Sequence, residues 1–240
     1  IIFIHGFSAS RQELVPVVDR VADNLKANIF YTRLTGHGRG CEAMGNASLH
    51  AWIRDIHEAW EIGKRIGEKL IIIGMSTGAP LAAWLCTQKK SAAGLIMLSP
   101  NFRPASPMSC LLLWPGKRLF LRLFVGRYRS FEPENREHAR YWTPRYPSLA
   151  LIPMMQAVRL GRSAPLANIK IPVLAVYSEK DTVISLKIMR RVFSHIGSEH
   201  KRLINLKGAS GHALAGDILS PGSTAELTKS ITGFIEENLR

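Results

Sequence analysis

Apolar and polar positions along this 240-residue chain follow two periods that take turns. Short runs rich in β-branched residues, at Ile1 to Ile4, Asn28 to Thr32, Leu70 to Ile73, Gly94 to Leu98, Ile171 to Tyr177 and Lys201 to Leu206, read as strands. Between them the apolar period lengthens to that of a helix, from about Arg11 to Leu25, Leu186 to Ile196 and Ser223 to Leu239. Leu49, Trp52, Ile53, Ile56, Trp60 and Ile66 form one further apolar stripe, with Ser48 placed to cap its helix. This alternation predicts an α/β fold, a mostly parallel doubly wound sheet.

The alternation fails between about Asn101 and Ala167, where Pro104, Pro107, Pro115, Pro133, Pro144, Pro147 and Pro153 break the chain into short pieces. Such a stretch is expected to be an insertion lying over the sheet. The reading therefore assigns 1–100 and 168–240 to the core and 101–167 to the insertion.

Composition adds bounds rather than identity. With 46% hydrophobic residues and a mean hydropathy of +0.03, the chain fits one globular domain. No apolar run approaches the roughly 18 residues of a membrane-spanning helix. The chain opens on Ile1 without a methionine, so an upstream segment is expected to be missing, and the compartment stays open. Cys41, Cys86 and Cys110 are odd in number and lack C-x-x-C spacing, so neither a disulfide framework nor a zinc site is expected.

Charge changes the picture more. Lys and Arg number 32 against 18 Asp and Glu, and 101–165 alone holds eleven basic and three acidic residues. In that stretch Leu111 to Trp114 and Leu119 to Phe124 interleave with Lys117, Arg118 and Arg122. The pattern suits an anionic lipid surface or an acidic ligand, and equally a solvated basic face over an ordinary hydrophobic contact. No recognition motif supports nucleic acid. Trp114, Phe120 and Phe124 are expected either to line a pocket or to pack this segment on the body.

The densest chemical signal is the run from Leu70 to Gly78, an apolar strand that breaks into Gly74-Met75-Ser76-Thr77-Gly78 and then into an Ala-rich, helix-like segment. A serine at such a turn stands above the sheet in a strained backbone conformation, and the flanking glycines remove Cβ atoms that would crowd it. Its hydroxyl needs a base, and the base needs an acid. Asp181 follows the strand ending at Tyr177 and His212 follows the strand ending at Leu206, so all three lie past C-terminal strand ends, where open α/β sheets build sites. Glu179 is the competing acid, and Asp217 reads as a solvated or capping group. An oxyanion needs two N–H donors, expected from Thr77 and from Phe7 of the loop His5-Gly6-Phe7. His5 is expected to contribute mainly backbone, His37 to shape its loop, and Asp55, His57 and Glu58 to form a polar helix face rather than a metal site.

With these residues assembled, the chain resembles the α/β-hydrolase superfamily over essentially its whole length, and most of all its branch of monoacylglycerol lipases, lysophospholipases and carboxylesterases. His5-Gly6-Phe7, Gly36-His37-Gly38, Trp52 to Asp55, the serine motif, Leu98-Ser99-Pro100, Asp181 and His212 carry the likeness. The resemblance implies that Ser76, Asp181 and His212 form a triad and that 101–167 is a lid over an acyl pocket. Family members usually carry two strands before the His-Gly loop, a glycine at the position of Ser178 and a bulkier residue at that of Thr77.

The expected activity is hydrolysis of carboxylic esters, lipid-like or of short to medium acyl length, through an acyl-enzyme on Ser76, with no cofactor or metal. A small-molecule acyl ester or lipid is then the partner, with peripheral contact to an anionic membrane through the basic cap. An acyltransferase or an aminopeptidase-like amidase would use the same triad, although the cap offers an amino terminus only Glu132, Glu134 and Glu137. A non-catalytic binding protein on the same fold is the reading from another class.

Overall fold

The computed structural model describes residues 1–239. The first half runs β1 (Ile2–Ile4), α1 (Val17–Leu25), β2 (Phe30–Thr32), α2 (Cys41–Met44), α3 (Leu49–Ile66), β3 (Leu70–Met75), α4 (Gly78–Gln88) and β4 (Ala92–Leu98). Then come α5 (Lys117–Phe120), β5 (Tyr128–Ser130), α6 (Arg136–Tyr141), β6 (Arg145–Pro147) and α7 (Leu151–Arg162). The chain closes with β7 (Val173–Tyr177), α8 (Leu186–Ser194), β8 (Lys201–Asn205) and α9 (Thr224–Leu239). Among the described residues no helix is long and apolar enough to cross a membrane.

Six strands form one parallel sheet in the order β2-β1-β3-β4-β7-β8. The unbroken apolar run of β3 follows from its central place, because both of its faces are covered. Leu70 and Ile72 pack with Trp52, Ile56 and Trp60 of α3 and the alanines of α4. Ile71, Ile73 and Met75 join Val17, Val18 and Val21 of α1 and Leu227, Ile231 and Phe234 of α9 on the other side. The chain leaves β1 towards β2 and leaves β3 towards β4, so the direction of winding reverses between β1 and β3, the place where open α/β sheets build their sites.

Local signals explain most boundaries. Ser48 caps α3 as its position suggests, its hydroxyl accepting from the Ala51 N–H at 3.1 Å. The helix expected from Arg11 to Leu25 is two pieces, a 3-10 turn at Arg11–Leu14 and then α1. Pro16 is the reason, since it has no N–H to continue the ladder and its ring obstructs the preceding turn.

The segment 101–167 contains a 3-10 helix at Pro107–Leu113, a π-helical turn at Leu121–Val125 and an antiparallel β5-β6 pair besides its helices. Leu112, Leu121, Tyr146, Leu151 and Met155 gather with Met44 in a small cluster of their own. The last helix of the segment, α7, which supplies Leu151 and Met155 to that cluster, also packs on α4, with Gly161 set so close to Pro80 that a Cβ there would clash.

Candidate active site

Ser76 stands between β3 and α4 with a positive φ of 51°, a conformation L-residues avoid unless their surroundings impose it. Two glycines make the turn sterically feasible. A Cβ on Gly74 would lie 2.6 Å from the Gly78 carbonyl oxygen, and one on Gly78 would press into the main chain of Ile4 and His5. The Ser76 N–H donates to the Leu98 carbonyl at 2.8 Å, and the Ser76 carbonyl accepts from Asn101 at 3.1 Å, so β4 and its following loop hold the turn.

The three residues singled out from the sequence form one hydrogen-bonded line. His212 Nε2 lies 2.8 Å from Ser76 Oγ, and His212 Nδ1 lies 2.7 Å from Asp181 Oδ2. The other carboxylate oxygen, Oδ1, accepts from the Val183 and Ile184 N–H groups at 2.8 and 3.3 Å. Asp181 therefore has both oxygens engaged, and its side chain is fully buried. Ser178 completes the turn without a glycine, its hydroxyl accepting from the Lys180 N–H at 3.2 Å. Glu179 points elsewhere, paired with Arg190 and accepting from the Tyr177 hydroxyl.

Opposite Ser76 lies the His5-Gly6-Phe7 loop, and here the side chains matter as well as the backbone. The Leu34 N–H donates to His5 Nε2 at 3.2 Å, which leaves the proton on Nδ1, and Nδ1 donates to the Gly6 carbonyl at 2.8 Å. Burial pushes the His5 pKa down to about 4, so the ring is neutral at pH 7. On the other side of the same residue, the Gly6 N–H donates to Glu13 Oε2 at 2.7 Å. Among the described residues neither the Phe7 nor the Thr77 N–H is engaged in a hydrogen bond.

The expectation that His5 contributes mainly backbone thus needs correcting, and Glu13 was missed. Glu13 lies within the stretch expected as one continuous helix from Arg11 to Leu25. Pro16 signals that the helix cannot run unbroken through these residues, but nothing in residue type marks Glu13 as facing inwards.

His37 packs against the rings of His5 and Trp52, with centroids 4.8 and 5.5 Å apart. Its loop is anchored from α3. Asp55 accepts from the Thr35 N–H and hydroxyl at 2.6 and 3.0 Å, while the Trp52 indole N–H donates to the Thr35 carbonyl at 2.9 Å. Asp217 lies apart from the line, joined to Val15 through its own main-chain N–H.

Of the three aromatic residues singled out, Phe120 packs half-buried against the small cluster around Met44, whereas Trp114 and Phe124 depart from both expected roles. Trp114 is 57% and Phe124 73% exposed, so neither lines a pocket nor packs the segment on the body. Phe120 stacks on Phe124 with centroids 5.5 Å apart. Tyr146 from β6 makes the contact with the body instead, meeting the Phe7 ring edge-on at 5.1 Å.

Solved structures share this fold. A structure from work on the metagenome-derived lipolytic enzymes LipS and LipT is 21% identical, covering 98% of this chain and 92% of that one, with a TM-score of 0.79. The monoacylglycerol lipase of Paleococcus ferrophilus is 17% identical, with coverage of 98% and 93% and a TM-score of 0.73. A soluble variant of the Saccharomyces cerevisiae monoglyceride lipase, in complex with a substrate analogue, is 15% identical, with coverage of 100% and 86% and a TM-score of 0.78. No curated protein sequence matches the chain. The model of a hydrolase family described as "Serine aminopeptidase, S33" matches residues 1–218, and on that match the chain belongs to this family of α/β-hydrolases.

Proposed function

We propose that this α/β-hydrolase cleaves carboxylic esters through an acyl-enzyme on Ser76. The observation that carries the reading is the unbroken line from Ser76 Oγ through His212 to Asp181, with contacts of 2.8 and 2.7 Å. As Ser76 Oγ attacks the ester carbonyl, its proton passes to His212 Nε2, and Asp181 holds the tautomer and stabilises the imidazolium. The Phe7 and Thr77 N–H groups receive the oxyanion. Collapse of the tetrahedral adduct breaks the bond to the alcohol, which leaves with the proton from Nε2. Water then repeats the sequence on the acyl-enzyme and frees Ser76.

The segment 101–167 serves as the cap, and the substrates are lipid-like esters. Met108, Trp114, Leu119, Leu123 and Phe124 are exposed there beside Lys117, Arg118 and Arg122. Apolar and cationic groups together suit insertion into an anionic bilayer surface. The lipolytic enzymes among the structural neighbours favour the same substrate class. Aminopeptidase action, which the family description names, is the second reading. Glu132, Glu134 and Glu137 are the acids available in the cap to bind an amino terminus, and all three face solvent.

The test is a panel of p-nitrophenyl esters of graded chain length beside aminoacyl p-nitroanilides, with Ser76→Ala as control. Ester cleavage and labelling by a fluorophosphonate are expected, both abolished in Ser76→Ala, with kcat lower by roughly 10⁶-fold. Cleavage of the anilides alone would favour the peptidase, and neither cleavage nor labelling would remove the hydrolase reading.

A further inference from the structure

We propose that Glu13 is a positioning residue for the oxyanion site, holding the Gly6 amide so that the next N–H, that of Phe7, is aimed at the substrate oxygen. The inference rests on the ester-hydrolase reading above.

Gly6 is gripped from both ends by buried side chains. Glu13 Oε2 accepts from its N–H at 2.7 Å, and His5 Nδ1 donates to its carbonyl at 2.8 Å. The peptide unit is planar, so fixing the Gly6 carbonyl fixes the Phe7 N–H, which points the opposite way in the same plane. Fixing the Gly6 N–H sets the unit before it. Between them the two side chains leave the turn little freedom.

Position makes Glu13 part of the site. A Cβ on Gly6 would lie 2.6 Å from Glu13 Oε1 and 3.1 Å from Ser76 Cβ, so the carboxyl and the nucleophile crowd the same glycine from two sides. The 3-10 turn that carries Glu13 is itself held, the Glu13 N–H donating to the Ser10 carbonyl at 3.1 Å.

Fold stability alone does not account for a carboxyl at this position. Glu13 is 8% exposed and, among the described residues, pairs with no cation. Burying such a group beside one main-chain donor costs free energy that an amide would not. Burial pushes its pKa up to about 8, so at pH 7 it is the neutral acid and sets no negative charge beside the forming oxyanion.

The experiment compares Glu13→Met, which fills the volume without an acceptor, Glu13→Asp, which withdraws the acceptor by one methylene, and Glu13→Gln, which keeps it. The readouts are kcat and KM on p-nitrophenyl butyrate, the rate of fluorophosphonate labelling, and the melting temperature. Losing one oxyanion donor outright costs about 10²- to 10³-fold, so a misaimed one should cost roughly 10- to 100-fold in kcat. That loss is expected in the Met and Asp variants with KM within about 2-fold and labelling slowed in parallel, whereas Gln stays within about 3-fold of wild type. A folded Met or Asp variant with wild-type kcat and labelling would overturn the assignment, as would a Gln variant as slow as Met. Wild-type protein that neither cleaves esters nor labels would instead remove the underlying hydrolase reading.

Discussion

The Ser99 hydroxyl donates to the main-chain carbonyl of His212 at 2.8 Å, tying the loop that carries the imidazole to the end of β4. Ser99 is itself fully buried, with a positive φ of 40°. Replacing it with alanine leaves the His212 carbonyl without its donor and frees the loop to drift from Ser76. Ser99→Ala should lower stability by about 1 kcal/mol and kcat by roughly 10-fold. Urea unfolding and steady-state kinetics measure the two, and an unchanged kcat would show that the loop is held elsewhere.

Asp181→Asn should cost far more, for a reason visible in its hydrogen bonds. The Val183 and Ile184 N–H groups both donate to Oδ1, so an asparagine would keep its carbonyl there and turn its NH₂ towards His212. His212 Nδ1 would then have to accept, which places the proton on Nε2 and leaves no base for Ser76. A kcat lower by about 10⁴-fold is expected with the fold intact. A loss of less than 10-fold would mean that Asp181 does not set the tautomer.

Three buried groups shape the pH dependence of stability. Burial lowers His5 to about 4 and His37 to about 3, and raises Glu13 to about 8. The unfolded histidines bind protons below about 6.5 that the folded ones refuse, so stability falls as pH drops from there. Glu13 acts in the opposite sense, because the folded state keeps a proton that the unfolded chain releases above about 4.5, and its contribution is lost as pH rises to 8. Between 4.5 and 6.5 two histidines outweigh one glutamate, which puts the maximum for these groups near pH 6.5. Urea midpoints from pH 4 to 9 trace the curve, and Glu13→Gln should flatten its fall between 6.5 and 8.

Leu123 and Phe124 are 64% and 73% exposed, so removing them costs the fold little. Burying each such side chain in a bilayer is worth about 1.5–3 kcal/mol. The double variant Leu123→Ser with Phe124→Ser should bind anionic vesicles at least 10-fold more weakly in high salt, where charge attraction is screened, while cleaving a short soluble ester at the wild-type rate. Equal flotation of the two proteins with the vesicles would count against insertion.

The sheet was legible because a strand buried on both faces cannot disguise itself, and β3 is apolar on every side that meets a helix. Ser76, Asp181 and His212 were legible because each follows a strand of that sheet, so topology alone brought their loops to one edge. The side-chain grip on Gly6 was not. Glu13 and His5 act through one and two hydrogen bonds to main chain, and nothing in residue type or spacing marks a carboxyl or a ring as facing inwards. The exposed aromatic residues escaped for a related cause: a Leu and Phe stripe looks the same whether it meets protein, lipid or water.

Phe7 belongs to two parts of the molecule at once. Its ring meets Tyr146 of β6 edge-on at 5.1 Å, while its main chain continues from the tightly held Gly6 beside Ser76. A substrate bulky enough to wedge Tyr146 away from the body pulls on a side chain rooted in the turn proposed to receive the oxyanion. On the proposed reading, exchanging the segment 101–167 for another would therefore alter the turnover rate along with the choice of substrate, and the two properties would change together from one graft to the next.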